Sequence, residues 1–370
     1  MIRLAKPEIT ETAIQGVSEI LRSGNLIQGP HVTQFESALQ EYLGIRQAIA
    51  TSSGTAALHL ALMALGITHG HEVICPAFTF PATANVIENV GAKPILVDIS
   101  LADYCMDVSL LASCITERTQ AIMIVHEFGQ AADMSGIFDA ARERDIPIIE
   151  DAACAIGTHW NNRVVGTLGS LGCYSFHPRK IITTGEGGAV TTQSDLLAQK
   201  IRALRNHGLT SQGGSDFIAP GLNYRMTDFQ ALIGYYQLLD IEKEIETRIR
   251  QAARYTNHLS SLAWLSTPVA FEDRRHVYQT YHVLLDDRLD RNGFILSLKE
   301  KGVEANLGAQ ALHILPFYRN KYHYKANDYP KALRAYRQGL ALPIGSHLMD
   351  QDVDDICDRL IQVHREKVGV

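Results

Sequence analysis

The chain has 370 residues, enough for two or three domains with sizeable cores, and its 46% hydrophobic and 20% charged residues are the balance of a globular protein in water. Thirty-four Lys and Arg against 40 Asp and Glu leave a net charge of −6, which argues against nucleic-acid binding, where a basic face must meet phosphates. The six cysteines form no CxxC pair, so a zinc knuckle or thioredoxin motif has no support, and reduced, buried thiols in a cytoplasmic protein are expected.

The first residues, MIRLAKPEITETAI, lack the apolar core of a signal peptide. The most apolar helical stretch, TAALHLALMALGI, is shorter than a bilayer span and contains His59, so it reads as a buried helix and no membrane partner is expected. QAIAT, HEVICP, KPILVDI, TQAIMIVH and IPIIED each read as a buried strand. Helical spacing separates them; Ile137, Phe138 and Ala141, for example, share one face ahead of IPIIED. Strands alternating with helices predict an α/β fold with a largely parallel sheet covered on both faces, and GGAVTT adds a further strand. Thr227 and Gln230 fit a capping box, and one long helix is expected through YYQLLDIEKEIETRIRQAARY. Beyond it, strand-like QTYHVLLDD and the helical GFILSLKEKG and DQDVDDICDRLIQVH predict a smaller α+β domain, dividing the chain into residues 1–244 and 245–370.

Ligands of such sheets bind beyond the carboxyl ends of the strands, so the residues just past each strand matter most. SSGTAAL opens a helix after QAIAT; its exposed amides suit a phosphate and Gly54 permits close approach, although the same residues also make an ordinary cap. Phe80, after HEVICP, is placed either to stack on a planar ring or to fill the core. Glu150 and Asp151 end an apolar strand, where a carboxylate is costly unless it meets a cation or caps a turn. In SFHPRKIITTGEGGAV, Lys180 follows a strand and precedes a Gly-rich turn. Arg179 and His177 beside it are expected to lower the pKa of its amine and make it a nucleophile, with Ser175 placed for a phosphate oxygen. The chain has no GxGxxG after a strand, no GxxxxGK[ST], no HExxH and no paired His/Cys spacing, so nicotinamide, P-loop and metal readings lose support.

Taken together, NLIQGPHVTQFE, SSGTAALHLAL, CPAFTFPATANVI, VHEFGQAADM, IIEDAACAIG, SFHPRKIITTGEGGAV, LRNHG and GLNYRMTDFQALIG resemble the DegT/DnrJ/EryC1/StrS family, the nucleotide-sugar aminotransferases of the aspartate-aminotransferase fold. The resemblance covers nearly all of residues 25–240 and implies a three-layer pyridoxal-phosphate transferase fold. It implies pyridoxal 5′-phosphate held by Lys180 as a Schiff base, with Asp151 on the pyridine nitrogen and Phe80 on the ring. Gly54, Thr55, Ala56 and Ser175 would take the phosphate, joined by Asn223 from a neighbouring subunit, so that a homodimer shares its sites. Arg225 is a further candidate for the donor's carboxylate. An amino acid, glutamate by family analogy, and a keto sugar nucleotide would be the substrates, with C4 of the sugar the commoner position. Two departures stand out. Cys154 occupies a place where family members often carry His or Gln near the cofactor's phenolic oxygen, and GVEANLGAQALHILPFY lacks a His-Tyr pair common in the sugar-facing loop. A dehydratase of the same family would carry His in place of Lys180, and a cofactor-binding regulator would carry a basic DNA-binding domain. This chain has neither feature.

Overall fold

The computed structural model describes residues 1–210 and 216–369. Seven short, Ile-, Val- and Ala-rich runs build the main sheet: β1 (Gln47–Thr51), β2 (Glu72–Pro76), β3 (Lys93–Val97), β4 (Thr119–Val125), β5 (Ile148–Asp151), β6 (Leu171–Ser175) and β7 (Gly188–Thr192). Their order is β1-β7-β6-β5-β4-β2-β3. Only β7 runs against its neighbours; the other six strands are parallel. The expected mixed α/β architecture with a mostly parallel sheet is therefore present.

Side chains alternate across the strands, and this splits the core in two. Ala48, Ala50, Ile122, Ile124 and Ile148 meet helices α2 (Pro30–Leu43), α6 (Met134–Arg142) and α8 (Asp228–Leu239) on one face. Ile49, Val73, Cys75, Met123, Ile149 and Val190 meet α3 (Gly54–Ala64), α4 (Ala82–Asn89) and α7 (Asp195–Arg205) on the other. Three layers result. The α2 and α8 starts are locked together: Asp228 Oδ1 accepts from the Gly29 and Val32 amides, at 2.9 and 3.0 Å, and so supplies the acceptors α2 lacks at its N-terminus.

The single long helix expected after Thr227 is in fact two. Thr227 and Gln230 form the capping box, but α8 stops at Leu239 and α9 (Ile241–Leu259) starts after Asp240, whose φ of −104° and ψ of 8° leave the helical path. The two halves bury different faces. α8 packs on α1 (Glu11–Ser23) and α2, whereas the stripe Ile241, Ile245, Ala252, Tyr255 and Leu259 carries α9 onward to α13 (Asp350–Val368). One straight helix cannot serve both partners.

The last third of the chain forms a second, three-stranded antiparallel sheet of β8 (Leu265–Ser266), β9 (Tyr281–Leu285) and β10 (Gly339–Leu342), cored by Phe294, Val303, Ile356 and Leu360. Between β9 and β10 the chain returns to the main sheet. Gln310–Ala311 pairs with Phe78–Thr79, and Lys331 and Ala332 donate backbone amides to Asp98. That return closes one side of a cavity at the sheet's carboxyl edge. Among the described residues no helix is long and apolar enough to cross a membrane.

Candidate active site

The cavity at the carboxyl edge of the main sheet has a volume of about 640 Å³, within the size range of small-ligand sites. Of the residues singled out in the sequence, Gly54, Thr55, Phe80, Asp151, Cys154, Ser175 and Lys180 line it. Ala56 sits just behind, buried, its amide donating to Ser53 Oγ at 3.0 Å. Asn223 is elsewhere: it is exposed, bridges to Asn206, and forms no part of this wall. Arg225 is also tied to Asn206 through its guanidinium.

Glycine brings the start of α3 against β6. A Cβ on Gly54 would lie 2.7 Å from the Ser175 Cβ, and one on Gly188 would lie 2.5 Å from the Ser53 carbonyl oxygen. The Gly54 and Thr55 amides belong to the first helical turn and have no intrahelical acceptor, so the cavity wall carries free donors at the positive end of a helix. This is an anion seat, and Ser175 stands beside it.

The two carboxylates that end β5 part company because successive side chains face opposite ways. Glu150 points away from the cavity. Its oxygens accept from the Gly166, Leu168 and Gly169 amides, each at 2.6 Å, and it meets His126 Nε2 at 2.9 Å. His126 Nδ1 accepts from the Ala132 amide, so Nε2 carries the hydrogen and donates to Glu150. Glu150 is thus a scaffold that ties the loop of residues 166–169 to His126 at the end of β4. Asp151 faces the cavity, only 5% exposed, and accepts from Thr83 Oγ1 at 2.8 Å and from the Ala153 amide at 3.2 Å. Burial pushes its pKa above the usual carboxylate value, with Thr83 and Ala153 opposing. A buried carboxylate in this state favours a cationic partner.

Lys180 follows a turn closed by its own amide on the His177 carbonyl, and its amine donates to Cys154 Sγ at 3.0 Å. The expectation that Arg179 and His177 lower its pKa is overturned. Arg179 is exposed and, with His177, lines the cavity, but the groups that act most on the amine are Cys154, Glu127 and Asp151. Burial alone would lower the pKa, but those acidic neighbours outweigh it and hold it above the ordinary lysine value. Phe80, 66% exposed, forms part of the cavity wall.

Three site residues were not read from the sequence. Thr79, Thr83 and Glu127 all lie in the stretches after β2 and β4, where an acid or hydroxyl past an apolar strand was the available signal. The cavity also reaches Gln279, just before β9, and Asn306 and Gln310 of the returning segment, none of which has a local signature.

An amine, a buried carboxylate and an anion seat fit the three polar ends of pyridoxal 5′-phosphate: its carbonyl, its ring nitrogen and its phosphate. A mostly parallel three-layer fold with this donor set at its carboxyl edge is that of the pyridoxal-phosphate-dependent aminotransferases. The chain belongs to the DegT/DnrJ/EryC1/StrS aminotransferase family, whose profile matches residues 7–361, and this family is pyridoxal-phosphate-dependent. It is similar to GDP-perosamine synthase of Caulobacter vibrioides, at 39% identity over 90% of each chain. It is also similar to the spore coat polysaccharide biosynthesis protein SpsC of Bacillus subtilis, at 37% identity over 95% of this chain and 94% of the relative. Among solved structures, the aminotransferase TlmJ from Streptoalloteichus hindustanus superposes with a TM-score of 0.93 at 30% identity, covering 100% of both chains.

Proposed function

We propose that this enzyme moves an amino group from an amino acid, glutamate, to a keto sugar nucleotide, and that Lys180 is its catalytic lysine. The observation that carries the reading is the Lys180 amine, turned into the cavity against Cys154 while Asp151 and the α3 amides stand on the same walls. Sugar-nucleotide chemistry is supported by the relatives, one of which is a GDP-perosamine synthase. It is supported too by the neutral polar wall of Gln279, Asn306 and Gln310, side chains suited to sugar hydroxyls.

When bound, the cofactor supplies a carbonyl that accepts the amino group and a ring that draws electrons from the adjacent carbon. Lys180 would hold that carbonyl carbon, and its amine, once free, would move the donor's α-proton as base and then acid. Asp151 would keep a proton on the ring nitrogen. Gly54, Thr55, Ala56 and Ser175 would hold the phosphate, Phe80 would cover the ring, and Cys154 would stand near the phenolic oxygen. With the keto sugar the same residues act in reverse order.

The enzyme works in the cytoplasm as a homodimer, its chain divided into a cofactor domain, residues 1–244, and a smaller domain, residues 245–370. Asn223 serves the partner subunit's phosphate seat; its exposure and its absence from its own chain's cavity wall support this. Subunit mixing tests it. Inactive Lys180→Ala subunits exchanged with Asn223→Asp subunits should regain about half a wild-type dimer's activity per heterodimer, because one shared site takes both defects and the other takes none. No recovery under demonstrated exchange would show that each chain completes its own site.

The substrate is tested by incubating the holoenzyme with glutamate and a panel of keto sugar nucleotides. Mass and NMR identification should find an amino sugar nucleotide and one 2-oxoglutarate per amino group transferred. Turnover of amino and keto acids alone, with no sugar product, would remove the sugar-nucleotide reading.

A further inference from the structure

Glu127 is a cavity-lining carboxyl group with no part in the amino-transfer steps assigned to Lys180 and Asp151. It is 4% exposed, and its Oε2 has no hydrogen-bond partner among the described residues. The backbone aims it there at some cost. Phe128, next in the chain, has a φ of 56°, a left-handed conformation that a bulky side chain rarely takes, and Gly129 has a φ of 92°. Three contacts hold this turn: Gly129 O accepts from the Val277 amide at 3.1 Å and from Thr158 Oγ1 at 2.8 Å, and Phe128 O accepts from the Thr280 amide at 3.3 Å. A Cβ on Gly129 would meet Val277 Cγ2 at 2.8 Å.

We propose that Glu127 is a positioning residue that governs the charge on the Lys180 nitrogen in the cofactor-loaded enzyme, doing from the end of β4 what Cys154, a weak hydrogen-bonding group, does poorly. The proposal rests on Lys180 being the cofactor lysine. The groups facing Glu127 define its electrostatics. Lys180 and Cys154 lie across the cavity, Asp151 is at the end of β5, and the Thr79 hydroxyl comes from beyond β2. Behind it, Cys105 and a narrow cleft bring Asp103, Tyr104, His276 and His282. Burial pushes the Glu127 carboxyl up to about 8; the nearby Lys180 cation opposes this and Asp151 reinforces it. It is therefore neutral at lower pH and an anion above that value. Once ionised, it favours a proton on the Lys180 nitrogen, and the coupling is reciprocal.

The visible absorption band of the loaded enzyme reports that proton, so the test is a spectroscopic titration of holoenzyme from neutral to alkaline pH. In Glu127→Gln, which keeps shape and polarity but not charge, the midpoint should fall by about one pH unit. Glu127→Asp keeps the charge and should recover part of that shift. A midpoint unmoved in Glu127→Gln overturns the proposal, as does an equal shift in both variants, which would make shape rather than charge responsible. Borohydride labelling of the same samples tells the two possible failures apart. Label on another lysine overturns the reading of Lys180 and this proposal with it, whereas label on Lys180 with an unmoved midpoint overturns this proposal alone.

Discussion

Lys180→Ala protein should fold, bind the cofactor without a covalent link, and lose turnover by roughly 10²–10⁴-fold, the share that positioned proton transfer usually supplies. The fold should survive because Lys180 contributes no apolar core. Its amine makes one side-chain hydrogen bond, to Cys154, and its removal leaves that thiol neutral in a cavity already open to water. The anion seat at the α3 start, where the phosphate is proposed to bind, is built from backbone and Ser175 and does not depend on the lysine. Borohydride should bleach the visible band of the wild-type protein and fix the cofactor to the peptide carrying Lys180, and should fix nothing in the variant. Label on a different lysine, or turnover within a few-fold of wild type, would remove Lys180 from the chemistry.

Asp151→Asn should lose on the order of 10²–10³-fold in turnover, the cost typical of removing one preorganised electrostatic group. The amide matches the carboxylate in shape and can still accept from the Ala153 amide, while its NH2 can donate to Thr83 Oγ1. Local geometry should therefore persist. The charge does not persist, and with it would go the group proposed to keep the ring nitrogen protonated and the ring able to draw electrons. Stability provides a second readout. Burial raises the folded-state pKa of Asp151, so holding it ionised costs stability above the usual carboxylate range and costs nothing once pH is low enough to protonate it. The cofactor-free variant should melt at or above the wild-type temperature near neutral pH, and it should gain less when cofactor is added. Near-normal turnover would instead reduce Asp151 to a turn cap for Ala153.

The sequence determined the sheet and the outline of the cavity for a local reason. Buried parallel strands must be near-continuous apolar runs, so QAIAT, TQAIMIVH and IPIIED announced themselves, and the residues placed at their ends follow by connectivity. Gly54, Asp151, Ser175 and Lys180 were legible because each sits within a few residues of a strand end on one edge. The division of labour between Glu150 and Asp151 was not legible as a role, although the period-two alternation that separates them was. Only the folded chain brings the Gly166, Leu168 and Gly169 amides and His126 to Glu150.

Tertiary structure also decided the charge around Lys180. Its sequence neighbours Arg179 and His177 suggested a cationic setting, but a loop residue points its side chain independently of the residue before it. The groups that meet the amine come from other strand ends: Cys154 after β5 and Glu127 after β4. The break at Asp240 has the same origin. Periodicity shows that residues 228–259 are helical, but not that their two halves must bury against α2 and α13, partners in different directions. Asn306 and Gln310 joined the cavity by the same route, through a segment that leaves the second sheet to pair with Phe78–Thr79, and Gln279 joined it from just before β9. Patterns read from sequence are short-range, because a side chain's burial depends on its place in a helix or strand. Pairings between elements distant along the chain are fixed only when the whole core closes, and that closure set the electrostatics of this site.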